Sequence, residues 1–404
     1  MNSDPPKLRD DLEFIPTSYE GRQAVIVRDV LGLIGNPIVI QGEALNLVGL
    51  IDGRHSIRDI QLEIVRQKGG VFVSREGVER LLKELDEAFV LDGERYRTAK
   101  EKLRAEYAKL DVRNASHAGQ AYPADKEKLE TYLDGILDLK ESGPGAEKRR
   151  VRAIVAPHID PDTGKKTYAE AYRALRGAAP RLVVLLGTGH SLEGGYYSLT
   201  EKDFRTPLGL VRTDKAAVRR LTEAGAGVIA PDDLAHRREH ALEFQLIFLQ
   251  RLFGPAFSIV PVLCGSFQGE LTKAARASQV PGVGAFLAVL AGLLEEQGNG
   301  ALAVAAVDFS HIGPKFGHRR TASALLPEAR KHDQALIEAC RAVDANAFWA
   351  EARRVKDAYN VCGFSTLASL LEILPPGEGR LLDHDVWMEE PTRSAVSFAA
   401  MAFY

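Results

Sequence analysis

Two textures of hydrophobic and polar residues divide the chain. In the first hundred residues, apolar positions recur at helical spacing. Ile57, Ile60 and Ile64 mark one face, and Val78, Leu81, Leu82 and Leu85 fall at i, i+3, i+4 and i+7 of a second helix. Ser56 with Asp59, and Ser74, stand where N-caps are needed, because their side-chain oxygens can take the orphan N–H groups of a first turn. Phe89–Tyr96 then reads as two short extended pieces about an Asp92-Gly93 turn. Helix, turn, helix, hairpin is the order of a winged helix. Thr98–Asp111, dense in Lys, Glu and Arg, reads as a solvated helical linker, and Glu141–Glu147 as a Gly/Pro loop.

From Arg152 the texture changes to short apolar runs alternating with helical patterns, which predicts an α/β layer structure with a central β-sheet flanked by helices. The runs are Arg152–Pro157, Leu182–Leu186, Phe257–Leu263 and Leu302–Val307. Ala395–Tyr404 closes the chain as a last strand buried in the sheet.

The 404 residues exceed one ordinary core, so two or three domains are expected, and 45% hydrophobic with 26% charged content is that of a soluble globular protein. A net charge of −3 gives no reason to expect nucleic acid or an anionic membrane surface. The second N-terminal helix, which would read DNA in a winged helix, exposes Glu79, Glu84, Asp86 and Glu87 against Arg80 and Lys83 and would repel phosphates. An interaction or dimerisation module is the plainer expectation. No apolar run is long enough to span a bilayer, and Met1–Lys7 lacks the apolar core of a signal peptide. Cys264, Cys340 and Cys362 are too few and too scattered for a disulfide framework, so a reducing cytoplasm is expected.

The chemistry follows the strands. The first run ends in Pro157-His158-Ile159-Asp160, the second leads to Gly187-Thr188-Gly189-His190, and the run from Leu302 leads to Asp308-Phe309-Ser310-His311. Ligands of open α/β sheets bind beyond the carboxyl ends of the strands, so three histidines there can share one cleft. Glu239, His240 and Glu243 open a helix. They are either an acidic first turn favoured by the helix dipole or carboxylates that orient ligand histidines. Cys362 precedes a helical pattern, where backbone N–H groups favour a thiolate, as metal ligand or as nucleophile. Cys264 ends an apolar run and is a candidate to approach the same cleft, whereas Cys340 reads as a small buried residue. No Cys-x-x-Cys, His-Glu-x-x-His, Walker loop or dinucleotide-binding glycine pattern is present.

Arg113–Gly119 with Tyr122–Asp125, Ala156–His158, Gly187–His190, Arg205–Gly209, Glu239–Gln245, Asp308–His311, Cys362-Gly363 and Ser394–Phe398 resemble, in order, the blocks of Memo-like proteins, also called protein B of the AmmeMemoRadiSam system. The resemblance covers residues 112–404. It implies a fold related to class III extradiol dioxygenases, with His158, His190 and Cys362 as ligands of one transition metal ion and Asp308, His311, Glu239 and His240 lining or supporting it. Ile159-Asp160-Pro161 and Thr188–Ser191 depart from the usual family blocks. Asp160 is thereby a fourth ligand, a general base or a solvated loop residue. Residues 15–97 resemble PqqD-like winged helices, which implies peptide recognition beside a radical SAM enzyme, with residues 98–111 as the linker.

Two imidazoles and a thiolate form a borderline-soft donor set suited to iron or copper, with zinc possible, and poor for magnesium or calcium. A non-heme redox enzyme using His311 or His240 as acid/base is the first expectation. A metal-dependent hydrolase or a non-catalytic adaptor is the alternative, and the small-molecule substrate is left open.

Overall fold

The computed structural model describes residues 5–19, 22–67, 73–138 and 149–404. The loop expected at Glu141–Glu147 lies outside them. The chain divides into two units, Met1–Lys109 and Leu110–Tyr404.

In the first unit, β1 (Leu12–Tyr19), β2 (Arg22–Asp29) and β3 (Ile38–Gln41) form an antiparallel sheet in the order β1-β2-β3. Four helices follow: α1 (Glu43–Val48), α2 (Ile57–Gln67), α3 (Arg75–Glu87) and α4 (Glu94–Ala108). Both expected caps form. Asp59 N–H donates to Ser56 Oγ at 3.2 Å while Asp59 accepts from Ser56 N at 2.8 Å, and Ser74 Oγ accepts from Gly77 N at 3.1 Å. Ile60, Ile64, Val78 and Leu82 meet in one apolar cluster, as their spacing requires.

Two expectations change here. The hairpin at Phe89–Tyr96 is absent, because Gly93 is the N-cap of α4 and Asp92-Gly93 is a helix entry rather than a β-turn. Leu91 instead makes an antiparallel bridge with Leu8. Nor is α4 a purely solvated linker: Tyr96 and Tyr107 are buried, the Tyr96 hydroxyl donates to Asp11 at 2.9 Å, and the Arg9 guanidinium lies 4.3 Å from the Tyr96 ring centre.

The second unit runs β4 (Val112–Asn114), α5 (Lys126–Leu137), β5 (Ala153–Ala156), α6 (Lys165–Arg173), β6 (Leu182–Thr188), β7 (Tyr197–Leu199), β8 (Asp203–Thr206) and β9 (Gly209–Thr213). It continues with α7 (Lys215–Ala224), α8 (His240–Phe253), β10 (Ser258–Cys264), α9 (Val283–Gln297), β11 (Ala301–Ala306) and β12 (His311–Ile312). Last come α10 (Ala322–Arg341), α11 (Ala345–Val355), α12 (Phe364–Ile373), β13 (Gly379–Glu389) and β14 (Ser394–Phe403). Among the described residues these strands make one sheet in the order β12-β14-β5-β11-β6-β10-β9-β8-β4, with β13 paired to β14 and β7 to β10.

Strands β5, β11, β6 and β10 are parallel neighbours, and their apolar runs are buried on both faces. Alternate residues divide between two cores. Val184 and Leu186 face the side covered by α7, α9, α11 and α12, and Val183 and Leu185 face α5, α6 and α8. The closing strand β14 is buried along its whole length, as expected, and it runs antiparallel to β5.

Candidate metal site

The register of the sheet builds the site. Ala306 of β11 lies opposite both Ala156 of β5 and Gly187 of β6, so the three chains leave the sheet side by side. His158 follows β5, His190 follows β6, and Asp308 follows β11. Cys362 reaches the same edge from the start of α12. Gly363 N–H donates to Asp308 O at 3.1 Å, and the Thr188 hydroxyl donates to Cys362 O at 3.2 Å. Gly363 is required by close approach: a Cβ there would stand 2.5 Å from Val307 Cβ and 2.7 Å from Asp308 O.

One ligand atom each from His158, His190 and Cys362 lies within 4.8 Å of the others, and Cys362 Sγ is 3.2 Å from His158 Nε2. The hydrogen bonds fix the rings. His158 Nδ1 faces Ala306 O at 3.1 Å, and a carbonyl only accepts, so Nδ1 carries the proton. His190 Nδ1 likewise donates to Glu239 Oε1 at 3.0 Å, and the other Glu239 oxygen accepts from His190 N at 2.9 Å. Both Nε2 lone pairs are thereby left for a shared ligand, with carboxylate and carbonyl support behind the imidazoles, as metal-binding histidines have. The donor set and its tautomers fit a transition metal ion.

Electrostatics in the metal-free protein favour a thiolate beside charged imidazoles, whose Nε2 protons a bound ion would displace. Burial works against the Cys362 thiolate, but His158 and His311 outweigh it and bring the thiol down to about 5. Burial also opposes the charged form of His158, yet Cys362 and Asp308 raise it to about 9. His190 is likewise held well above its ordinary value, mainly by Glu239, against the cost of burial. His240 goes the other way: burial lowers it to about 4 despite Glu239.

The remaining expected residues take distinct places. Glu239 orients His190 and also approaches His240 Nδ1 at 3.1 Å. The His240 ring centre is 4.8 Å from that of His190 and 5.2 Å from that of His158. Asp308 Oδ1 accepts from His158 N at 3.0 Å, and its other oxygen lies 3.6 Å from His158 Nε2. His311 packs against Phe316 with ring centres 4.9 Å apart, and its Nδ1 faces Phe309 O at 3.0 Å. Asp160 caps its own turn, accepting from Asp162 N at 2.9 Å, and is not gathered with the three ligand atoms. Cys264 and Cys340 are buried with thiols pushed up by burial, Cys264 to about 12, and neither joins the cluster.

Sequence reasoning missed three contributors. Gln245 donates to Pro157 O at 2.9 Å and fixes the turn into His158. Asn360 donates to His311 O at 3.2 Å, tying the segment before Cys362 to the β11 exit. His117 packs edge-on against His240 with ring centres 5.8 Å apart. His117 and Gln245 carried a signal, as parts of the Arg113–Gly119 and Glu239–Gln245 blocks, but that signal gave no role.

A parallel-centred sheet with two imidazoles and a thiol gathered at its carboxyl edge defines an α/β protein with a composite site at the strand ends. The chain belongs to the Memo-like protein family, whose sequence profile matches residues 113–402. A MEMO1 family protein of Aquifex aeolicus is 32% identical over 387 residues, covering 94% of this chain and 96% of its own. A MEMO1 family protein of Thermus thermophilus is 30% identical over 351 residues, covering 86% of this chain and 98% of its own. Among solved structures, an uncharacterized protein of Escherichia coli K12 is similar over 63% of this chain and 100% of its own, at 13% identity and a TM-score of 0.39.

Proposed function

We propose that His158, His190 and Cys362 hold one transition metal ion, iron or copper ahead of zinc, in a redox enzyme acting on a small molecule. One observation carries the reading: both Nδ1 atoms are committed to acceptors, so both Nε2 atoms are free to meet the Cys362 sulfur. A bound iron or copper ion would supply electron transfer and Lewis acidity at a soft site. The chain's own contribution is position and proton handling. Glu239 and Asp308 keep the ligand segments in place, and His240 and His311 flank them as the acid/base candidates. The same donors on zinc would support hydrolysis. Free thiols at all three cysteines agree with a cytoplasmic setting.

In the first unit β1 pairs on one side only among the described residues, and an extended peptide can add to such an edge. This supports a role for that unit in recognising a peptide or a radical SAM partner. No helix among the described residues is long and apolar enough to cross a membrane.

Anaerobic purification followed by elemental analysis and an absorption spectrum tests the metal reading. One iron or copper per chain is expected, and Cys362→Ser should lose most of it while keeping its circular dichroism. Full occupancy in that variant, or no metal in the parent, overturns the assignment; colourless zinc moves it to hydrolysis.

A further inference from the structure

The block Arg113–Tyr122 does more than pack. Glu243, fully buried, accepts from Arg113, from the Ser116 and His117 backbone N–H groups, from the Ser116 hydroxyl and from the Tyr122 hydroxyl. Burial alone would raise its pKa, but Arg113 and these donors hold it far below the ordinary carboxyl value, so it is an anion that only accepts. Ser116 has one hydroxyl proton, and at 3.0 Å from Glu243 Oε2 that proton goes to the carboxylate. Ser116 Oγ then receives from Arg113 Nη2 at 3.1 Å, and from His117 Nδ1 at 2.9 Å.

The protonation pattern of His117 follows. Its Nδ1 must carry a proton, so in the neutral ring Nε2 is a lone-pair acceptor, with no hydrogen-bond partner among the described residues. The side chain is 23% exposed, and its ring packs against Phe244, with centres 5.6 Å apart, and against His240, which also touch each other. His240 in turn touches both proposed ligand rings. A buried Arg113–Glu243 ion pair and a serine thus fix the tautomer of a partly exposed histidine packed on His240.

We propose that His117 is a substrate-contacting residue: its Nε2 accepts a hydrogen bond from an O–H or N–H group of the bound small molecule. The inference rests on the metal reading above, which places the reacting end of that molecule at His158, His190 and Cys362. The substrate class it selects is a metal-coordinating molecule with a protic group at its far end, since the His117 ring meets His240 while His240 meets the ligand rings.

Iron-loaded protein titrated with 4-hydroxybenzohydroxamate and with unsubstituted benzohydroxamate tests this, because both present the same chelating group and only the first carries a distal hydroxyl. The parent should bind the hydroxylated probe about tenfold more tightly, the size of one hydrogen bond. His117→Phe should bind the two alike with unchanged iron content, and His117→Gln, which restores an acceptor, should recover part of the preference. Equal binding by the parent, or a preference that survives in His117→Phe, overturns the proposal. Nitrogen NMR of the metal-free protein gives an arm that needs no metal. A protonated Nδ1 and bare Nε2 are expected at His117, relaxing to a mixture in Ser116→Ala, and an Nε2-protonated ring in the parent overturns the proposal. Failure of the metal reading is seen separately, as absence of iron from parent and variants alike.

Discussion

Glu243 lies one helical turn beyond Glu239, and the two carboxylates divide their work. Glu239 faces the imidazoles, whereas Glu243 turns to Arg113 and clamps the segment from Ser116 to Tyr122 onto α8. Because folding lowers the Glu243 pKa, the stability it lends is fully present above its ordinary value of 4.5 and is lost as pH falls below that toward the folded pKa. Glu243→Gln should therefore lower stability at pH 7 by about 3–5 kcal/mol, since it leaves Arg113 buried and unpaired. Its stability should also fall less steeply on acidification than that of the parent. Urea unfolding at pH 7 and pH 4 measures both effects. Equal midpoints for parent and variant at pH 7 would remove Glu243 from the stabilising network.

The junction between β11 and α12 brings Cys362 to the histidines, and Gly363 sets its spacing. Three non-glycine residues with positive φ, Lys356 (54°), Asp357 (55°) and Asn360 (49°), bend the chain immediately before it. Such conformations persist only where surrounding contacts hold them, and here His311 N–H donates to Tyr359 O at 2.8 Å. Gly363→Ala forces a methyl into Val307 and Asp308 O and should cost about 1–3 kcal/mol, as overpacked cores do. Metal retention should fall with it, because α12 cannot shift without moving Cys362. A thermal melt with metal analysis checks the pair, and parental values for both would show that the contact yields freely.

Across the whole molecule, the sequence was most legible where periodicity and burial coincide. The runs at 152–157, 182–186, 257–263 and 302–307 became β5, β6, β10 and β11 because parallel strands covered on both faces must be apolar throughout. Their exits lead to His158, His190 and His311, the three histidines expected to share one cleft; His158 and His190 gather with Cys362, whereas His311 acts on that thiol only as a neighbouring charge. The three-stranded sheet of the first unit was not legible: β1 sets Phe14 and Ile15 among Glu13, Pro16 and Thr17, a mixture without the period of a half-buried strand. The hairpin expectation failed on an Asp-Gly pair that serves a helix start equally well. His117 was invisible as chemistry because its role depends on Glu243, which is remote in sequence and adjacent only in the fold.

The proposed ion would also link the assembled site to global stability. Binding to the folded state alone, at a hundredfold excess over the dissociation constant, adds about 2.7 kcal/mol. Iron or copper should therefore raise the melting temperature of the parent and leave that of Cys362→Ser nearly unchanged. An equal rise in both would place the ion elsewhere.

Strand β14 carries a last consequence. It seals the flank of β5, pairing Phe403 with Ala153 and Met401 with Val155, so strands about 250 residues apart become neighbours. During ribosomal synthesis β5 emerges early and waits with bare backbone donors and acceptors until nearly all the remaining strands have been made. Such distant pairing slows folding and leaves an edge open to wrong partners meanwhile. A stalled or prematurely released chain therefore bares the strand that leads into His158.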